Sequence, residues 1–197
     1  KDLVYGSYTY QVLKAIKEHD TIIIQRYLRP VGDALGSQIG LKEAIKATFP
    51  RKKVFAVGDQ TERYNFIGEM DVIEDKLYKD ALVFILDTSE AFMISDDRYK
   101  MAKYIIKIDH HIYKESYGDI AIVDTEYESC AGLVADIIFK MKLKMTESAA
   151  KALYTGIVTD SGRFRYESTT SRTFLTAAKL LETKFNMTEV YNNLYSD

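Results

Sequence analysis

The strongest constraint on the fold is a series of short, near-continuously apolar runs separated by stretches of helical periodicity. Thr21 to Gln25, Lys53 to Val57, Ala81 to Leu86, Tyr104 to Ile108 and Ile120 to Val123 are rich in β-branched or aromatic residues and too short for buried helices, so they read as strands. Runs that are apolar at every position belong to strands covered on both faces, the habit of parallel sheets. Tyr10, Leu13, Ala15 and Ile16 recur at helical spacing, in a helix ending near His19. Further helices read from Ala34 to Ala47, Ala131 to Met141, Glu147 to about Val158 and Thr170 to Thr183. This alternation predicts an α/β fold: a mainly parallel five-stranded sheet flanked by helices, Rossmann-like. No linker interrupts the 197 residues, so one domain over 1–197 is expected.

The net charge of −2 gives no global attraction to a nucleic-acid backbone or an anionic membrane, and no apolar run reaches membrane-spanning length. No membrane partner is therefore expected. Lys1-Asp2-Leu3-Val4-Tyr5 does not read as a signal peptide. The single cysteine, Cys130, cannot form an intrachain disulfide, which fits a reducing cytosol and predicts a cytoplasmic protein.

Acids cluster where strands end. The first strand leads into a loop with Pro30, Gly32 and Asp33, the third ends at Asp87, and the fourth ends in Asp109-His110-His111, which holds two of the chain's three histidines. In a parallel sheet all carboxyl ends share one edge, where open α/β sheets bind ligands. A fourth candidate is the stretch Thr155 to Phe164, where Asp160 and Arg163 stand beside Gly156 and Gly162. Carboxylates with imidazoles suit Mn²⁺ or Mg²⁺ better than Zn²⁺, which favours thiolates. Such ions polarise phosphoryl oxygens and supply hydroxide near neutral pH. Taken singly, Asp33 or Asp59 reads as a cap or turn residue. Taken together, the acids read as a metal centre. His19 reads as a solvated cap at a helix end.

Four motifs in this order carry a resemblance: Arg29-Pro30-Val31-Gly32-Asp33-Ala34-Leu35-Gly36-Ser37, Leu86-Asp87-Thr88, Ile108-Asp109-His110-His111, and Gly156-Ile157-Val158-Thr159-Asp160-Ser161-Gly162-Arg163-Phe164. The chain resembles DHH-family phosphoesterases over nearly its whole length. More narrowly, it is similar to the DHH/DHHA1 branch of nano-RNases and pAp phosphatases, the bifunctional oligoribonucleases. The resemblance implies a hydrolase using two Mn²⁺ ions, with Mg²⁺ as an alternative, and a water or hydroxide between them that attacks phosphorus. It implies short RNA or DNA oligonucleotides or nucleotide phosphates, such as pAp and linear dinucleotides, as substrates, and it allows a homodimer. On the family pattern Asp33, Asp87, His110 and Asp160 hold one ion and Asp87 bridges to the other. Asp109 would orient His110, His111 would face the scissile phosphate, and Arg163 would neutralise phosphate charge or, alternatively, form a surface ion pair.

Two departures stand out. The family's first motif runs His-x-x-Pro-Asp-x-Asp, and Tyr27 and Val31 occupy the positions of the first histidine and first aspartate. A phenol keeps its proton at neutral pH and valine has no donor atom, so the second ion site is expected to be weakened. The family's Asp-Thr-Ala-Asn is also altered, to Asp87-Thr88-Ser89-Glu90. Second, the family's carboxyl-terminal DHHA1 domain, with its glycine-rich basic motif, has no counterpart here, so the chain reads as a fragment or a natural truncation. The expected function is an impaired manganese-dependent phosphoesterase. The alternatives are a degenerate, non-catalytic nucleotide- or metal-binding protein, or an enzyme silenced by introduced substitutions at Tyr27 and Val31. A pyrophosphatase is less favoured, because Leu35-Gly36-Ser37 and Asp160 to Phe164 stand closer to the oligonucleotide branch.

Overall fold

The structure, a computed structural model, describes residues 2–196, with side chains from Tyr8 onward. Lys1 and Asp197, the two ends of the expected domain, lie outside the described residues. The apolar runs form β1 (Thr21–Arg26), β2 (Lys53–Ala56), β3 (Leu82–Leu86), β4 (Tyr104–Asp109) and β5 (Ile120–Val123). All four neighbouring pairs are parallel, in the order β2-β1-β3-β4-β5. The α/β expectation therefore holds. The strand order steps one way from β1 to β2 and the other way from β1 to β3. The crevice above β1 and β3 is the switch point where such sheets bind ligands.

The helices are α1 (Asp2–Glu18), α2 (Gly32–Thr48), α3 (Cys130–Lys140), α4 (Glu147–Asp160), α5 (Ser171–Leu181) and α6 (Met187–Tyr195). Side-chain caps start several of them. Ser129 accepts from the Gly132 N–H, Thr146 from the Ala149 N–H, and Thr170 and Thr173 form a reciprocal capping box. Helix α6 was not expected. Its signal is Asn186 followed three residues later by Glu189, and the Asn186 side chain does accept from the Glu189 N–H at 3.0 Å.

Alternate strand residues point to opposite faces. Ile22, Ile24, Leu82, Phe84, Leu86, Ile106 and Ile108 join the large core, which also takes the buried α-helical side chains. Ile23, Val83 and Ile85 form a smaller core with Val57, Tyr78, Ala81 and Ile94. The second face is covered by the 3₁₀ turns Asp75–Tyr78, Ala91–Met93 and Asp97–Met101 rather than by α-helices. It also holds polar groups: Gln25 accepts from the Tyr78 hydroxyl at 2.8 Å and donates to the Asp96 carbonyl at 2.8 Å.

His19 corrects one expectation. It does cap α1, with Nδ1 2.7 Å from the Ala15 carbonyl, but it is buried rather than solvated.

One close helix contact positions the site. Helices α2 and α4 run antiparallel with glycines between them. A Cβ on Gly36 would lie 2.5 Å from the Ala152 carbonyl oxygen, and one on Gly32 would lie 2.5 Å from Thr159 Oγ1. This approach brings the start of α2, with Asp33, against the end of α4, with Asp160.

Candidate metal centre

The half-buried imidazole of His110 is the hub. Its Nε2 lies 3.4 Å from Asp33 Oδ2, 3.4 Å from Asp87 Oδ1 and 3.4 Å from Asp160 Oδ2. These distances are longer than ordinary N–H···O bonds. His110 Nε2 and Asp87 Oδ1 are both buried and make no hydrogen bond. Buried polar atoms left unpaired call for an explanation, and a shared cation supplies one. Two ligand sets are close enough to hold an ion: Asp33, His110 and Asp160, and Asp87, His110 and His111. The donors are oxygen and imidazole nitrogen, which fit a hard or borderline divalent ion.

Each candidate ligand is held by a different part of the fold. Asp33 Oδ2 accepts from the Cys130 N–H and Oδ1 from the Ala131 N–H, both at 2.8 Å. The amino end of α3 thus clamps both carboxylate oxygens from across the chain. Asp87 follows β3 with φ 57°, the left-handed region that non-glycine residues rarely use, and its N–H donates to the Ile108 carbonyl at 3.0 Å. His110 Nδ1 lies 3.2 Å from the Tyr127 carbonyl, which fixes the ring and leaves Nε2 for the carboxylates.

Electrostatics record the crowding. Burial, then repulsion from Asp33, pushes the Asp87 carboxyl up to about 7. The same causes raise Asp160 to about 8. Burial opposes the charged form of His110, but Asp33 and Asp87 outweigh it and raise its pKa to about 11. Without an ion, the imidazolium is the cation that the carboxylates share.

Asp109 and His111 correct the expected pairing. Asp109 Oδ1 meets His111 Nδ1 at 2.7 Å, so Asp109 orients His111, while the Tyr127 carbonyl takes the role expected of it at His110. The Asp109 bond raises the His111 pKa against a smaller opposing effect of burial. Burial works against the Asp109 carboxylate, but the His111 bond and charge prevail and hold its pKa below the ordinary value. Arg163 lies over Tyr195, which lines a smaller pocket with Asp33 and Asp160. It is exposed, has φ 59°, and its guanidinium lies 4.1 Å from the Tyr195 ring centroid. Asp59 is exposed, and its backbone carbonyl accepts from the buried Arg26, as a turn residue would.

A cavity of about 670 Å³ opens over the cluster, lined by Asp87, His110, His111 and Asp160 and also by Tyr27 and Val31. At this second end the backbone is well formed. The Tyr27 N–H donates to the Leu86 carbonyl at 3.1 Å, and Tyr27 bridges to Ile94. Val31 is the N-cap residue of α2 and offers no capping side chain. Neither residue supplies a good ligand atom.

Lys107 was missed. A lysine inside the run Ile105-Ile106-Lys107-Ile108 is the available signal, because a charge in a buried strand needs partners. It is fully buried, and Nζ donates to the Ser89 and Glu115 carbonyls at 3.0 Å each. It also lies 4.4 Å from the Tyr117 ring centroid. Lys107 thereby ties the loop after Asp87 to the loop after His111.

A switch-point crevice that gathers a carboxylate–imidazole cluster defines an open α/β protein with a candidate metal centre. The family model described as "DHH family, N-terminal domain" matches residues 21–157, and the chain belongs to the DHH family. It is 43% identical over 175 residues to the probable bifunctional oligoribonuclease and PAP phosphatase NrnA of Streptococcus mutans, covering 89% of this chain and 56% of that protein. It is 37% identical over 188 residues to the bifunctional oligoribonuclease and PAP phosphatase NrnA of Bacillus subtilis, covering 94% of this chain and 60% of that protein. The fold matches an exopolyphosphatase-related protein from Bacteroides fragilis with a TM-score of 0.88 and 25% identity, over 97% of this chain and 61% of that one. The chain thus spans somewhat over half the length of these relatives. No helix among the described residues is long and apolar enough to cross a membrane.

Proposed function

We propose that this chain is a metal-dependent phosphoesterase of short oligonucleotides or nucleotide phosphates such as pAp, impaired by Tyr27 and Val31. Residues 1–197 act in this reading as one DHH domain in the cytoplasm. The observation that carries it is His110 Nε2, buried, without a hydrogen bond, and 3.4 Å from each of three carboxylates. Asp33, Asp87, His110 and Asp160 would hold one divalent ion, manganese being the first choice for this mixed oxygen and nitrogen set. The ion would polarise a phosphoryl oxygen and make nearby water more acidic.

The chain's own residues do the rest. Asp109 fixes His111 through Nδ1, which leaves Nε2 to meet a phosphate or leaving-group oxygen. The raised pKa of His111 favours the imidazolium, a proton donor to developing negative charge. Lys107 holds the two loops that frame this geometry. Val31, Met93 and Ile112 give the cavity an apolar wall suited to a nucleoside. The substrate class is supported by the names of the two relatives above.

The test is hydrolysis of pAp and short RNA by the purified chain with Mn²⁺. Expected is slow turnover, abolished by Asp87→Asn and raised by the double reversion Tyr27→His with Val31→Asp. Negligible turnover that the reversion leaves unchanged would overturn the reading. The lack of a ligand at both Tyr27 and Val31 favours a second reading, a nucleotide- and metal-binding protein without catalysis. One tight ion site with nucleotide binding and no hydrolysis would establish that alternative.

A further inference from the structure

Beside the metal cavity lies a second cavity of about 470 Å³, and Thr125 lines both, so the two adjoin. We propose that this second cavity is a nucleobase subsite whose platform is the guanidinium of Arg172 laid on the ring of Tyr127. The proposal rests on the phosphoesterase reading, since it places the neighbouring nucleotide of a substrate held at the metal cluster.

The platform is built in advance. The Arg172 guanidinium carbon lies 3.6 Å from the Tyr127 ring centroid, and its Nη2 donates to the Glu126 carbonyl at 2.9 Å. Tyr127 is buried, and its hydroxyl donates to Asp136, whose other oxygen accepts from Thr176 of α5 at 3.1 Å. The Tyr127 carbonyl is also the group that meets His110 Nδ1, so the platform and the metal ligand share one residue. A side chain already fixed in its bound geometry loses little further entropy when a ligand arrives.

The chemistry selects a base over a phosphate. Tyr127 covers one face of a flat guanidinium that lines the cavity, and bases stack on arginine planes. The same cavity is lined by Glu126 and Glu167, whose charge disfavours a phosphate dianion. The Glu167 carboxylate and the Ser168 hydroxyl instead offer acceptors to exocyclic amino groups, which adenine, guanine and cytosine carry and uracil lacks.

The experiment is equilibrium binding of hydrolysis-resistant phosphorothioate oligoadenylates and oligouridylates, one to three nucleotides long, in Mn²⁺, read before turnover accumulates. The proteins are the wild-type chain, Arg172→Ala, Arg172→Lys and Asp87→Asn. The wild-type chain should gain roughly tenfold in affinity from one to two or three adenylates, and less for uridylates. Both Arg172 variants should lose that gain, the lysine variant because it keeps the charge without the plane. A length gain that survives in Arg172→Ala, or its absence in the wild-type chain, overturns the subsite and leaves the phosphoesterase reading standing. Failure of the wild-type chain to bind any length, or binding that Asp87→Asn leaves untouched, overturns both.

Discussion

At one end of the main cavity, Asp33, Asp87 and Asp160 surround His110 Nε2; at the other, Tyr27 and Val31 present a phenol and two methyl groups to the same space. Both ends stand on sound backbone. Tyr27 keeps its bond to Leu86, and Val31 keeps the extended geometry of an N-cap, φ −86° and ψ 159°. The difference lies in the donor atoms and in what holds them. Asp33 is clamped by two N–H groups of α3, and Asp160 is delivered by a helix contact that only glycine permits. Elements that build the first end also serve the core, so the fold depends on them. The second end consists of two side chains, Tyr27 in a bridge just past β1 and Val31 at the start of α2, whose backbone bonds do not depend on the side chain.

Asp33→Ala should have the largest effect. It removes one proposed ligand and leaves the Cys130 and Ala131 N–H groups without their acceptor. Manganese affinity, measured by calorimetry, should fall by more than about 100-fold. The Asp87 and Asp160 pKa values should also fall, because the Asp33 charge helps raise both. Unchanged affinity would show that the two ends do not differ as argued.

A pH series should come next in size. Bound ions need deprotonated ligands, and without an ion burial and the Asp33 charge push Asp87 up to about 7 and Asp160 up to about 8, while, against burial, Asp33 and Asp87 raise His110 to about 11. Manganese must displace these protons. Its affinity should therefore rise from pH 6 to 8.5, by ~10-fold per unit for each proton displaced. A flat profile would place the ion elsewhere.

The sheet, and the edge on which the acids gather, were legible in the sequence because period, length and strand-end position are local properties. Ile22 to Ile24 and Ile105 to Ile108 announce buried strands, and Asp87 and Asp109 follow at their ends. What was not legible depends on distant contacts. Asp33 meets α3 across a separation of 97 residues, and Asp109 chooses His111 over His110 through ring orientations that spacing does not encode. Arg163 sits within a motif, has a left-handed backbone and lies over the Tyr195 ring, a contact with a helix that the motif does not announce. The covering of one sheet face by 3₁₀ turns leaves little periodicity to read.

Two smaller effects sharpen the comparison. In Gly36→Ala, the new Cβ would meet the Ala152 carbonyl oxygen at 2.5 Å and the Gly156 nitrogen at 2.9 Å. These are backbone atoms that cannot swing aside. The clash should outweigh the helix-propensity gain of about 1 kcal/mol, for a net loss of ~1–2 kcal/mol in denaturant unfolding. At the other end, Val31→Asn should supply the side-chain cap that α2 lacks, without adding charge. It should stabilise the chain by about 1 kcal/mol and leave manganese binding unchanged. Destabilisation there would mean that Val31 is held by contacts the N-cap geometry does not reveal.

The most direct test of the central claim is the number of tight manganese sites, counted by calorimetry in the wild-type chain and in the double variant Tyr27→His, Val31→Asp. One site in the former and two in the latter is the predicted result. Two sites in the wild-type chain, or no second site after the reversion, would contradict the division of the cavity into an intact and a degraded end.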